Sequence, residues 1–129
     1  MMTITESDWK TYKRLRDLAQ ERFSQRVLDE CRRICGDESV PVQERHLELS
    51  RFLRERDREM PMIFDSLRRS TAVLCLMAMG SRGLLTDEEV SELGPEIQRT
   101  VRSVQTGGAH ANTERGGSEG PLVCRAGPS

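Results

Sequence analysis

Cys31 and Cys35 stand four residues apart, so on a helix both thiols share one face. With His46 they would offer three donors of the kind a tetrahedral zinc ion takes, one short of a closed site. The short Cys spacing of structural zinc sites is missing, and Cys75 lies far along the chain. A lone CxxxC carries little weight, and the two thiols are read as small apolar fillers of a helical seam. Neither a metal nor a cofactor is expected.

Arg56 is the second candidate. It interrupts an otherwise apolar stripe, and with Glu21 and Asp57 it could form an inward polar seam that holds a ligand or fixes how helices pair. The plainer account lays its aliphatic stem along the stripe with the charge in water. A ligand-binding or enzymatic role would need a pocket, and the place for one is around Arg56 and Glu21. Arg68 and Arg69, with Arg14, Arg16 and Arg22, could make a basic face for phosphate. The many Asp and Glu residues make surface ion pairing the leading account of that face. Trp9 and Tyr12 read as core anchors rather than as platforms for stacking.

For covalent or acid–base catalysis the chain is poorly equipped. Of its two histidines, His110 falls in a glycine-rich C-terminal stretch. No GxSxG, no glycine-rich phosphate loop and no HExxH occurs. An enzyme is therefore not expected.

The elements that would position these residues are all helical. Thr5 or Ser7 can cap a first helix, with Glu6 and Asp8 adding early negative charge. Tyr12, Leu15, Ala19, Phe23, Val27, Cys31 and Ile34 then recur at helical spacing. Gly36 suits the helix end, and Pro41 suits the start of the next helix. From there a single stripe runs through Val42, His46, Leu49, Leu53, Arg56, Met60, Ile63, Leu67, Ser70, Leu74 and Met77. Pro61 lies inside it, at a cost of about 3 kcal/mol in an ordinary helix interior. Because the stripe keeps its phase and Met60 is a poor cap, one kinked helix is expected rather than two. Gly80 and Gly83 end it. Thr86 with Glu89 spells a capping box for a third helix carrying Val90, Leu93, Ile97, Val101 and Val104, interrupted at Gly94-Pro95.

The expected fold is all-α: a long kinked antiparallel helical hairpin plus a shorter C-terminal helix, a three-helix bundle with coiled-coil-like pairing. Residues 1–105 form the helical domain and residues 106–129 a disordered tail, rich in Gly, Ser and Pro. Composition agrees, with 4% aromatic and 32% charged residues over 129 positions. The formal net charge of −1 gives no global argument for nucleic acid or an anionic membrane. The first residues lack a basic start and an apolar run, and no stretch approaches the roughly 20 apolar residues of a spanning helix. A cytoplasmic protein with reduced thiols and no membrane association is expected.

The short connection after Gly36 makes the first two helices antiparallel, so facing residues have numbers summing to about 77. Cys31 then falls near His46, Phe23 near Arg54 and Arg56 near Glu21. A turn near residue 84 would bring Val90 beside Met79 and Ile97 beside Ala72, covering that end of the hairpin. Residues 20 to 58 would remain a two-helix arm with apolar surface open. Phe23, Leu28, Leu47 and Phe52 are the residues expected to line its interaction surface. The function expected is a protein–protein interaction or scaffolding module, a homodimer through the arm or host to a partner helix. The alternative is a nucleic-acid-associated regulator using Arg-rich helix faces.

Overall fold

A computed structural model of the chain describes residues 4–64 and 67–105. Among these residues every regular element is helical. The expected tail, 106–129, lies outside them.

Helix α1 (Glu6–Gly36) begins where the sequence places it. The Thr5 hydroxyl accepts the Asp8 backbone N–H at 3.0 Å, and Glu6 and Asp8 set negative charge against the unpaired amides of the first turn. Its buried face carries Tyr12, Leu15, Ala19 and Phe23, then Ile34 near the far end. Gly36 is the last helical residue, and the turn is made by Asp37, whose carboxylate accepts the Ser39 N–H at 3.2 Å. Arg45 locks this tip from the next helix, donating to the carbonyls of Val40 at 2.9 Å and Cys35 at 2.7 Å.

Helix α2 (Val42–Ile63) returns antiparallel to α1 and stops two residues beyond Pro61. The expected single helix from Val42 to Met77 is therefore corrected to two. After Ile63 the chain turns at Phe64, passes an extended Arg68 and a 3-10 turn (Arg69–Thr71), and restarts as α3 (Ala72–Ser81). The physical reason is tertiary. Phe64 is buried and meets Phe23 edge-to-face at 5.8 Å between ring centroids, a contact that requires the chain to leave the α2 axis. The preserved phase of the stripe was a coincidence of spacing. Of its members beyond Pro61, Ile63 is buried, but Leu67 and Leu74 are 49% and 66% exposed. The face that α3 buries is instead Ala72, Cys75, Leu76 and Met79.

α3 is the hub of the head. It packs against α1, α2 and the last helix, and its buried side chains join Tyr12, Leu15, Ala19, Phe23, Ile63 and Phe64 in one core. It ends in a Schellman motif: Gly83, at φ 68°, donates to the Gly80 carbonyl at 3.0 Å, and the Leu84 N–H reaches the Met79 carbonyl at 3.0 Å. Only glycine holds that left-handed backbone without strain. Gly83→Ala should cost about 1 kcal/mol in urea unfolding, the penalty for a Cβ in the left-handed region.

Thr86 and Glu89 form the expected capping box, with Glu89 N–H on Thr86 Oγ1 at 3.1 Å and Thr86 N–H on Glu89 Oε1 at 2.9 Å. The helix they start, α4 (Asp87–Val90), is a single turn. Gly94 and Pro95 begin a separate α5 (Pro95–Arg102), so the interrupted third helix is two pieces. Its register also differs from that of one straight helix folded back at residue 84. Val101, rather than a residue near 88, lies against Gly80, where an added Cβ would come within 3.0 Å of the Val101 Cγ1. The start of α5 is held by α1: the Gly94 N–H donates to the Asp8 carboxylate at 3.0 Å. That carboxylate is 8% exposed, which explains a charged residue on the buried face of α1.

With its partly buried side chains, the core reaches along α1 as far as Val27 and takes in α2 from Met60 onward. Beyond those points α1 and α2 continue as a two-helix arm, as the sequence suggests, with Ile34 buried near its tip. No helix among the described residues is long and apolar enough to cross a membrane.

Candidate functional site

Where the arm leaves the head, a cleft of about 520 Å3 opens between three pieces of chain. α1 supplies Phe23, Arg26, Val27 and Glu30. α2 supplies Phe52, Arg56 and Glu59. The segment after α3 supplies Arg82 and Leu84. The antiparallel register brings Phe23, Phe52 and Arg56 to one level, close to the pairing expected from the turn after Gly36. The third wall could not be read from the sequence, because it depends on where the chain goes after α2 breaks.

The guanidinium of Arg56 sits over the Phe52 ring at 5.0 Å. Its carboxylate neighbours are Glu59 at 3.5 Å and Glu55 at 3.7 Å. Its Nε is buried and has no hydrogen-bond acceptor. The expected seam of Arg56 with Glu21 and Asp57 does not form. Glu21 and Asp57 are exposed, because each lies on its helix's outer side. Phe23 also needs correcting as an open interaction residue: at 7% exposure it belongs to the core, where Phe64 covers it. Phe52 is half-buried. Leu28 and Leu47 are 56% and 59% exposed.

The head side of the cleft is fastened by arginines of α1. Arg26 donates to the carbonyls of Arg82 at 2.8 Å and Gly83 at 2.6 Å. Arg22 donates to the Leu84 carbonyl at 2.9 Å and grips Glu89 through two bonds of 2.7 Å each. Carbonyls of the segment that follows α3 are thus met from α1. Burial pulls the Arg26 guanidinium below its usual range, and the neighbouring Arg22 charge adds to the effect. Arg22 itself is held above its usual range by the hydrogen bonds to Glu89.

The other arginines of the expected basic face are mostly engaged within the fold. Arg14 pairs with Glu92, Arg69 with Glu6, and Arg16 donates to the Phe64 carbonyl at 3.3 Å. Arg69 also lies over the half-buried Trp9 at 5.2 Å, with Lys13 at 5.7 Å. Tyr12 is fully buried and stacks on Trp9 at 5.5 Å. Burial raises its hydroxyl above the ordinary phenol range, and the Cys75 thiol beside it raises it further.

The sulfur–histidine group does not assemble as drawn from spacing. Cys31 is half-buried, while Cys35 and His46 are exposed, so Cys35 is not a core filler; among the described residues the buried thiol is Cys75. No group of three His, Cys, Asp or Glu side chains converges to hold a metal among the described residues. No protein-family model, no curated protein and no solved structure matches the chain.

Proposed function

We propose that the chain is a small cytosolic helical interaction module that self-associates through its arm. The observation that carries this reading is the uncovered arm. From Leu28 on α1 and up to Glu59 on α2 no side chain joins the shared core, and Leu28, Val42, Leu47 and Leu53 are 56%, 72%, 59% and 36% exposed. An isolated pair of antiparallel helices is marginal in water, since helical stability in proteins comes chiefly from packing an apolar face. A second arm would supply that packing through a two-fold, self-complementary contact. The competing reading, nucleic acid on Arg-rich faces, has less support because Arg14, Arg22 and Arg69 already face carboxylates of the same chain.

Light scattering on the full chain tests the proposal. A dimer at micromolar concentration is expected, and Leu28→Asp with Leu47→Asp should shift it to monomer while leaving helical circular dichroism intact. Dimerisation should be nearly insensitive to salt, unlike phosphate binding by several arginines, which weakens steeply. A wild-type chain that stays monomeric across that concentration range would refute it.

A further inference from the structure

The charges around the cleft do not balance. Glu30 is committed to Arg33, and Glu59 to Arg56. Arg26 and Arg82 have no carboxylate partner among the described residues: Arg26 meets carbonyls, and Arg82 makes one long contact of 3.5 Å to the Ala78 carbonyl. Two guanidiniums therefore face this cleft unneutralised. Most arginines elsewhere on the head, such as Arg14, Arg22, Arg69 and Arg102, are matched with Asp or Glu. Beside the unmatched pair are the apolar walls, Phe23 and Phe52 from opposite helices, with Leu84 beneath.

From this we infer that the cleft is a binding site for a small amphiphilic monocarboxylate, an aromatic or medium-chain acid. Its apolar body would lie against the half-buried Phe52 and Val27, with only the edge of Phe23 within reach, and its carboxylate would meet Arg82 and Arg26. Three features select this class. The volume of about 520 Å3 falls among small-molecule sites, which run from about 300 to 1,000 Å3. The guanidinium fork matches a carboxylate in geometry and is the usual partner for one at a partly desolvated site. The carboxylates of Glu30 and Glu59 on the same walls disfavour a dianion such as a phosphate monoester, leaving a single negative charge as the best match. Arg56, paired with Glu59 and stacked on Phe52, lines the cleft beside them with a buried Nε that has no acceptor. The site goes beyond the self-association reading and stands whether or not the arms pair.

The test is titration of the full-length chain with 2-naphthoate and, separately, decanoate, followed by calorimetry and by amide chemical shifts. Neutral 2-naphthylmethanol serves as the uncharged control. Saturable one-to-one binding of at least one acid is expected, with shifts centred on Phe23, Phe52 and Leu84. The alcohol should bind about tenfold more weakly, as for loss of one charge-assisted contact. Arg82→Gln, whose side chain supports little else, should weaken the acid by about the same factor, and Arg58→Gln, outside the cleft, should leave it unchanged. Arg26→Gln should act in the same direction, but it also releases the Arg82 and Gly83 carbonyls, so Arg82→Gln is the deciding variant. Failure of both acids to saturate, equal affinity for the alcohol, or an Arg82→Gln chain that binds as wild type overturns the proposal. So does an Arg82→Gln chain whose oligomeric state changes while acid binding does not, since the cleft would then be a contact between copies.

Discussion

Leu76→Ala should destabilise the chain by roughly 3–4 kcal/mol, while Leu74→Ala, two residues earlier on the same helix, should change stability by less than about 0.5 kcal/mol. Leu76 is fully buried at the centre of α3, where helices from both ends of the chain meet. Truncating it removes apolar area from a contact that cannot collapse from one side, because α1, α2 and α5 all brace against α3. Leu74 is 66% exposed and has little to lose. The pair is decisive because the sequence pattern alone ranks them the other way: Leu74 continues the stripe that runs from Val42, and Leu76 does not. Urea unfolding of both variants, with unchanged m-values, gives the ordering directly. Equal costs, or a larger cost at Leu74, would mean that α3 is rotated from the position described.

That inversion shows where sequence patterning carries information and where it fails. Features decided within one turn of chain were legible. Thr5 caps α1, Thr86 and Glu89 close a capping box, Gly83 ends α3 and Pro95 opens α5, each through bonds between residues a few positions apart. The antiparallel arm was legible too, because a short connection leaves two helices little choice. What could not be read was the break after Pro61. Pro61 marks the region, but where the helix stops is set by Phe64 reaching Phe23, residues far apart in sequence. Several misplacements follow from that one contact. Phe23 moved from the surface into the core, α3 turned a different face inward, and the end of α3 became the third wall of the cleft. That Phe52 and Arg56 lie level with Phe23 was legible because it depends only on arm register. Arg82 and Leu84 were not, because they depend on the break. Several arginine forks grip backbone carbonyls near helix ends rather than carboxylates, a use that composition does not reveal.

The strongest of those forks gives the second large effect. Glu89→Ala should cost roughly 2–3 kcal/mol. The carboxylate is the bidentate partner of Arg22 and the acceptor for the Thr86 N–H, so one truncation leaves two donors without their acceptor. Breaking a fully buried pair costs about 3–5 kcal/mol. The Arg22 side chain is 34% exposed and can recover water, which lowers the figure here. A pH signature separates the charge from the packing. Burial alone would raise the Glu89 carboxyl, but the Arg22 guanidinium and the Thr86 N–H together outweigh it and hold the group below its ordinary value of 4.5. A depressed carboxyl stabilises the fold while ionised. Its contribution is therefore whole above about pH 4.5 and is lost as pH falls through the lower, folded-state value. Glu89→Gln keeps the size and one acceptor but has no charge to titrate. The stability gap between wild type and Glu89→Gln, measured by urea unfolding, should be largest near pH 7 and should narrow steadily below pH 4.5. Taking the difference cancels the acid response of other carboxylates, Glu6 and Asp37 among them, which are also held below their ordinary values. A gap that stays constant down to pH 3, about a unit and a half below that ordinary value, would mean that Arg22 and Glu89 act through shape alone and that the charge adds nothing to the fastening of α1 onto α4.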